Sequence, residues 1–85
     1  MLRVQNYGFL TRDGRTHDVT LDLNAVCALE ATDGQKFAYH NILLATSNDC
    51  ITVAMSEHND AEMSRLYRHW QDYKNGLNQN REYMP

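Results

Sequence analysis

The sequence predicts an α+β fold, a curled antiparallel meander of about five strands with one C-terminal helix packed on it. Three observations predict this class. Apolar residues recur every three or four positions over 59–74, as they do on one face of a helix. Two Asp-Gly pairs, at 13–14 and 33–34, are typical of tight hairpin turns. The segment 18–23, DVTLDL, alternates polar and apolar residues as a half-buried strand does.

The first strand is predicted at 2–10, LRVQNYGFL, where the alternation changes phase. Leu2 and Val4 share one face of the strand, whereas Tyr7 and Phe9 share the other. If both pairs are to face the same way, the strand needs an extra residue or a sharp bend between them. We therefore expect a β-bulge near the middle of this strand.

Three further strands are expected between the alternating second strand and the helix. The break at Asn24-Ala25 indicates a corner, either between two sheets or within a half-barrel. Beyond it we predict strands at 26–32, 36–45 and 50–55. The second Asp-Gly pair is expected to join the first two of these as a hairpin.

The helix is predicted over Asn59–Lys74. Asn59 is a good N-cap, with Glu62 three residues on as in a capping box, and Asn75-Gly76 is the expected stop. The apolar stripe is assigned to the core and consists of Met63, Leu66, Tyr67, Trp70 and Tyr73. The polar stripe is assigned to solvent and consists of His58, Glu62, Arg65 and His69.

Length and composition limit the class of protein. With 85 residues the chain has room for one domain, which we place at 1–76, followed by a partly flexible tail at 77–85. The N-terminus lacks the apolar core of a signal peptide and no apolar run reaches membrane-spanning length, so we expect a cytoplasmic protein. Cys27 and Cys50 are then expected to be reduced, buried thiols.

Patterns that signal catalysis or metal binding are missing from the sequence. His58 and His69 are about three helical turns apart, too far to share an ion. No nucleophile elbow occurs, and no glycine-rich loop leads into the helix to hold a phosphate. We therefore expect a protein that is not an enzyme and that carries no cofactor or metal.

The leading hypothesis is a non-catalytic protein-binding module. Tyrosine and phenylalanine are favoured at interfaces, and acids on the outward face of the second strand would attract a basic protein partner. The predicted binding residues are Tyr7, Phe9, Asp18, Asp22 and Tyr39. A homo-oligomer is also expected, because association is a common way for a small sheet to hide further apolar area.

The alternative is a single-stranded nucleic-acid-binding protein. It would use Arg65 and Arg68 together with bases stacked on aromatic rings. The net charge of −3, with scattered Lys and Arg, disfavours nucleic acid as a partner.

In size, acidity and a single curled sheet with one helix, the chain resembles the small inhibitors that phages encode against host defence systems, anti-CRISPR proteins among them. The resemblance covers the general character of the chain and no motif, so no functional residue is carried over from it. It implies a protein that sterically blocks a host protein or defence complex.

Overall fold

The computed structural model describes residues 2–33, 38–45 and 50–82. In this part of the chain, five antiparallel strands precede one helix, which confirms the α+β class predicted from the sequence. The elements are β1 (Val4–Leu10), β2 (Thr16–Asp22), β3 (Val26–Asp33), β4 (Ala38–Leu44), β5 (Cys50–Ala54) and α1 (Glu57–Glu82).

The strands form two open sheets. One sheet contains β1 and β2, and the other has the order β3-β4-β5. A single 3₁₀ turn, Leu23–Ala25, joins them at the position where the sequence predicts a corner. The Asp22 carboxylate caps this turn, because it accepts from the Asn24 N–H at 2.9 Å.

The first hairpin is regular, so the predicted bulge in the first strand is wrong. Its register runs without a shift from Val4 opposite Asp22 to Leu10 opposite Thr16. The irregularity lies instead in β3, where Cys27 is the extra residue against β4.

The turn of the first hairpin forms as its Asp-Gly pair predicts. Gly14 has a φ of 84°, a left-handed conformation that favours glycine. The Thr11 N–H donates to the Arg15 carbonyl at 2.8 Å and closes the loop. The second Asp-Gly turn lies partly outside the described residues, although the antiparallel pairing of β3 with β4 is present.

The core lies between the two sheets and one face of α1, and both sheets contribute to it. Tyr7 and Phe9 point into this core, whereas Leu2 is 77% exposed and Val4 49% exposed. The two faces of the first strand therefore alternate without a break. The face that carries Tyr7 and Phe9 is buried, and the face that carries Val4 is exposed. The buried apolar residues are Tyr7, Phe9, Leu21, Leu23, Val26, Ile42, Val53, Met63 and Leu66.

The helix begins two residues before the predicted start. Ser56 is its cap, because the Asn59 N–H donates to Ser56 Oγ at 3.1 Å. The Asp60 N–H donates to the Ser56 carbonyl at 2.8 Å in the first helical turn. The predicted stop is also wrong: the helix continues through Gly76, which has no positive φ, to Glu82. A glycine inside a helix costs only about 1 kcal/mol, which does not end it.

The apolar stripe of α1 packs on the core with one exception. Leu66 and Met63 are buried, and Trp70 and Tyr73 are partly buried against them. Tyr67 is 53% exposed, so its assignment to the core is wrong. It follows Leu66 directly and is therefore turned about 100° away from the core. Within the described residues no helix combines the length and apolar character needed to cross a membrane.

The two cysteines are exposed free thiols, which corrects the prediction that they are buried. Cys27 lies at the irregularity in β3, where the extra residue turns outward. Cys50 lies at the beginning of β5, with its sulfur 3.8 Å from Asn41 Oδ1.

Candidate functional site

The free edge of β1 is covered by side chains of α1. Because β1 pairs with β2 on one side only, its other edge would leave N–H and C=O groups without partners. Asn59 closes one end: its Oδ1 accepts from the Leu10 N–H at 2.7 Å, and its Nδ2 donates to the Leu10 carbonyl at 2.8 Å. The same nitrogen donates to the Ala54 carbonyl at 2.8 Å and ties β1 to the end of β5.

Three more side chains continue this cover along β1. Glu62 Oε2 accepts from the Gly8 N–H at 2.8 Å, and His58 Nε2 donates to the Gly8 carbonyl at 2.8 Å. Arg65 donates to the Asn6 carbonyl at 2.7 Å. The helix therefore satisfies the edge of β1 as a neighbouring strand would. The assignment of this polar stripe to solvent is wrong, since the stripe holds the helix to the sheet.

Tyr7 and Phe9 belong to the core, which corrects their prediction as binding residues. Each is 2% exposed, so neither ring offers a surface to a partner. The Tyr7 hydroxyl lies 2.9 Å from His69 Nδ1, and the Arg65 guanidinium lies 4.6 Å from the Tyr7 ring centroid. Burial raises the pKa of Tyr7 to about 12, so its hydroxyl stays protonated at neutral pH.

Glu62 and Arg65 are the charged centre of the covered edge. Two hydrogen bonds of 3.0 Å join the Arg65 guanidinium to the Glu62 carboxylate. This contact holds the pKa of Glu62 below its usual value, and the Gly8 N–H acts in the same direction. The carboxylate in turn raises the pKa of Arg65. The pair is therefore ionised at neutral pH and contributes to stability.

Replacing Glu62 with glutamine is expected to lower the free energy of unfolding by about 1.5–3 kcal/mol at pH 7, because charge-assisted hydrogen bonds are lost. The folded-state pKa of Glu62 is lower than the pKa in the unfolded chain. Its contribution is therefore complete above the unfolded value and is lost as the pH falls through the folded one. We expect the difference between wild type and Glu62→Gln to shrink below about pH 4.

Urea unfolding followed by circular dichroism at pH 7 and at pH 3 measures this difference. The matched control is Asp72→Asn, which neutralises an exposed acid on the same helix and should cost less than about 0.5 kcal/mol at either pH. An equal loss of stability for Glu62→Gln at both values of pH would contradict the assigned role of the carboxylate.

Asp18 and Asp22 lie on the face of the first sheet that points away from the core, which we call the outer face. Asp18 is exposed and stands opposite Gly8, which has no side chain to shield it. Asp22 lies 3.2 Å from Arg3 and also caps the 3₁₀ turn. The outer face consists of Val4, Asn6, Gly8, Asp18, Thr20 and Asp22. Leu2, just before β1, is also exposed.

Val4, on this face, and the exposed Leu2 before it are not among the residues predicted to bind a partner. Val4 stands directly opposite Asp22, so exposed apolar and acidic groups are neighbours. The signal was present in the sequence, because both apolar residues share the parity of Asn6 and Gly8, which are polar or small. A continuous alternation would have put Val4 on the outer face.

Tyr39 lies apart from the two acids. It is partly buried on β4 and lines a cleft of about 360 Å³ between the tip of the first hairpin and β5. Phe9 and His17, whose side chains point to the inner side of the first sheet, line the same cleft. The five predicted binding residues therefore fall in three places: the core, the outer face and this cleft.

Three of the four histidines form contacts between elements of the described part of the chain. His58 and His69 are hydrogen-bonded to β1, and His40 Nε2 lies 2.8 Å from the Asp60 carboxylate. Across residues 2–33, 38–45 and 50–82, no group of three or more His, Cys, Asp or Glu side chains is arranged to hold a metal ion.

The geometry defines a small α+β domain in which the helix covers one edge of the first sheet, whereas the outer face of that sheet is open to solvent. No protein-family model, curated protein or solved structure is significantly similar to the chain.

Nucleic-acid binding stays a prediction, and its available residues are Arg68 and Tyr67, which are both exposed. Arg65 is engaged by Glu62 and by the Asn6 carbonyl, and the rings of Tyr7 and Phe9 are buried. A single strand would need free cations beside exposed rings.

Proposed function

We propose that the chain is a non-catalytic protein-binding module that binds a basic protein partner through the outer face. The observation that carries this proposal is the exposed side chain of Val4 directly opposite Asp22 on the outer face, which also holds Asp18. The exposed Leu2, just before the strand, adds a second apolar side chain. Protein interfaces commonly combine an apolar centre with a polar rim. The apolar side chains would supply buried area, and the carboxylates would select a basic surface.

The two acids have different surroundings, which gives them different expected roles. Asp22 is held by Arg3 and by the 3₁₀ turn, so it is oriented before a partner arrives. Asp18 stands opposite Gly8, which has no side chain, so the negative charge of Asp18 is exposed to solvent. Exposed charge of this kind accelerates the encounter with an oppositely charged protein more than it slows dissociation.

A steric mechanism follows from the size of the chain. A module of 85 residues that occupies a partner's surface prevents other molecules from using that surface. The finer proposal, a phage-type inhibitor that blocks a host protein or defence complex, is supported only by the resemblance in size and acidity.

Replacing the two acids of the outer face by a lysine and an asparagine is expected to slow association by about tenfold at low salt, with less effect at high salt. The variant combines Asp18→Lys with Asp22→Asn, because asparagine keeps an oxygen for the Asn24 N–H. Partners captured from a host lysate by the wild-type chain are identified by mass spectrometry. Their association and dissociation rates are then measured by biolayer interferometry at two salt concentrations.

The matched control combines Glu30→Lys with Asp72→Asn, which changes the net charge equally at exposed positions on β3 and α1. A partner whose association slows as much with the control as with the outer-face variant responds to net charge alone, which would rule out the proposed surface.

Val4→Thr is expected to raise the dissociation rate while leaving association unchanged, since it removes apolar area without adding charge.

A further inference from the structure

The backbone groups on the outer edge of β2 can be assigned from the contacts of β1. The N–H and C=O of Gly8 bind the helix, so they point away from β2. Gly8 is paired with Asp18, and in such a pair both residues turn these groups away from each other. The backbone groups of Asp18 therefore point outward, and so do those of Thr20 and Thr16, whose partners Asn6 and Leu10 also bind the helix.

This outer edge differs from the edge of β1 in having no cover. Within residues 2–33, 38–45 and 50–82, no backbone group bonds to the outward N–H and C=O groups of Asp18 and Thr20. Most residues of β2 are exposed. A row of alternating outward N–H and C=O groups is complementary to the backbone of another extended chain.

We infer that this ligand is a second copy of the chain, whose β2 pairs antiparallel with the first β2 about a two-fold axis at Val19. The β1-β2 sheets of the two copies then become one four-stranded sheet in the order β1-β2-β2-β1. The interface is isologous, so each copy offers the same edge that it receives. This inference does not depend on the proposed function, since the two copies pair whether or not a basic protein binds.

The side chains of β2 select this register. Only residues with outward backbone groups form hydrogen-bonded pairs across the new interface, so Thr16, Asp18, Thr20 and Asp22 pair among themselves. With the axis at Val19 all seven residues overlap. Asp18 then stands opposite the partner's Thr20, and Asp22 opposite the partner's Thr16.

The neighbouring symmetrical registers are disfavoured by charge. An axis at Asp18 places that carboxylate opposite the partner's Asp18. An axis at Thr20 places Asp18 opposite the partner's Asp22. Like charges directly opposite each other in a sheet are destabilising, whereas threonine and aspartate are compatible. Of these three registers, only the one with full overlap has no facing carboxylates.

Apolar contact supports the same axis. Val19 would meet the partner's Val19 in a pair without direct hydrogen bonds, the type in which opposed side chains come closest. Val19 is partly buried against the core of its own chain, so the contact covers the part that remains exposed. The outer faces of the two copies join, which gathers their Asp18 and Asp22 side chains on one surface.

Charge substitutions at Thr20 test the interface and its register together. Opposite the partner's Asp18, Thr20→Asp creates two repulsive pairs and is expected to raise the dimer Kd about tenfold, whereas Thr20→Lys creates two attractive pairs and lowers it about fivefold. Thr20→Asn is the uncharged control and should stay within about twofold. Sedimentation equilibrium gives each Kd.

The variants Thr20→Asp and Thr20→Lys must change the dimer Kd in opposite directions. If both raise the Kd, the axis lies at Thr20, and if neither changes it, the interface lies elsewhere; either result overturns the proposal. A wild-type chain that is monomeric at about 1 mM also overturns it.

Disulfide formation provides a second measurement. In a Cys27→Ser, Cys50→Ser background, Val19→Cys is expected to give a covalent dimer on mild oxidation, because the paired Cα atoms lie about 4.5 Å apart. Thr20→Cys in the same background is the control. It is offset from its counterpart by two residues along each strand and should stay mostly monomeric on a non-reducing gel. Equal cross-linking of both variants, or none of Val19→Cys, contradicts the register.

Discussion

Replacing Asn59 with alanine is expected to lower the free energy of unfolding by about 3–5 kcal/mol. Asn59 is fully buried, and its side chain is the partner of three backbone groups, the Leu10 N–H, the Leu10 carbonyl and the Ala54 carbonyl. Alanine leaves all three without a partner at a place that water does not reach. A buried polar group without a hydrogen bond costs about 1–3 kcal/mol.

The loss is large because the domain is small. A chain of this length is stabilised by roughly 5–10 kcal/mol, so Asn59→Ala brings it close to unfolding at room temperature. Thermal and urea unfolding followed by circular dichroism measure the change. The control is Asn75→Ala, which makes the same truncation at an exposed position of α1 and is expected to cost less than about 0.5 kcal/mol. A loss for Asn59→Ala as small as that of the control would show that the buried hydrogen bonds of Asn59 contribute little to stability.

Asn59 also shows what kind of error arises from reading the helix in the sequence alone. Asparagine three residues before Glu62 has the pattern of an N-cap, which is why the sequence predicts the start of the helix there. The cap is Ser56, and the Asn59 side chain points to β1 instead. The pairing joins residues 49 positions apart, and no local pattern predicts a contact at that separation.

The elements themselves were largely predictable because their signals are local. The alternation in β2, the Asp-Gly turn at Gly14 and the corner at Asn24 each depend on a few neighbouring residues. The five strands and the helix were found for this reason. The sequence does not decide between two sheets and a half-barrel, because that choice depends on contacts between distant segments.

The polar stripe of α1 was misassigned for a more general reason. Charged residues on one side of a helix usually face water. Here Glu62 and Arg65 face the edge of a strand, where the backbone offers hydrogen bonds that water would otherwise make. Hydropathy does not distinguish a solvated polar face from one that satisfies a sheet edge.

The two edges of the first sheet therefore differ in whether their backbone groups are covered. The β1 edge is closed within the chain by His58, Asn59, Glu62 and Arg65, which protects it from pairing with other chains. The β2 edge has no such cover in the described residues. Closing one edge limits association to the other, which favours a closed pair of copies over an open chain of strands.

The Tyr7→Ala variant separates a core role from an interface role and is expected to lower the free energy of unfolding by about 3–5 kcal/mol. The ring is 2% exposed, its hydroxyl contacts His69, and Arg65 packs on its face. Truncation leaves a cavity in the core and removes both contacts. Tyr7→Phe keeps the ring and loses only the hydroxyl, so it is expected to cost about 0.5–1.5 kcal/mol.

Tyr67→Ala is the matched control for the truncation, because it removes the same side chain from an exposed position of α1. Tyr67 is 53% exposed and has an edge contact with Trp70, so we expect a loss of less than about 1 kcal/mol. Urea unfolding of the three variants measures the differences. If Tyr7→Ala were no more costly than Tyr67→Ala, Tyr7 would not be a core residue. A large difference instead means that any loss of partner binding by Tyr7→Ala reports unfolding and not a lost contact, which leaves Val4, Asp18 and Asp22 as the positions at which binding is properly tested.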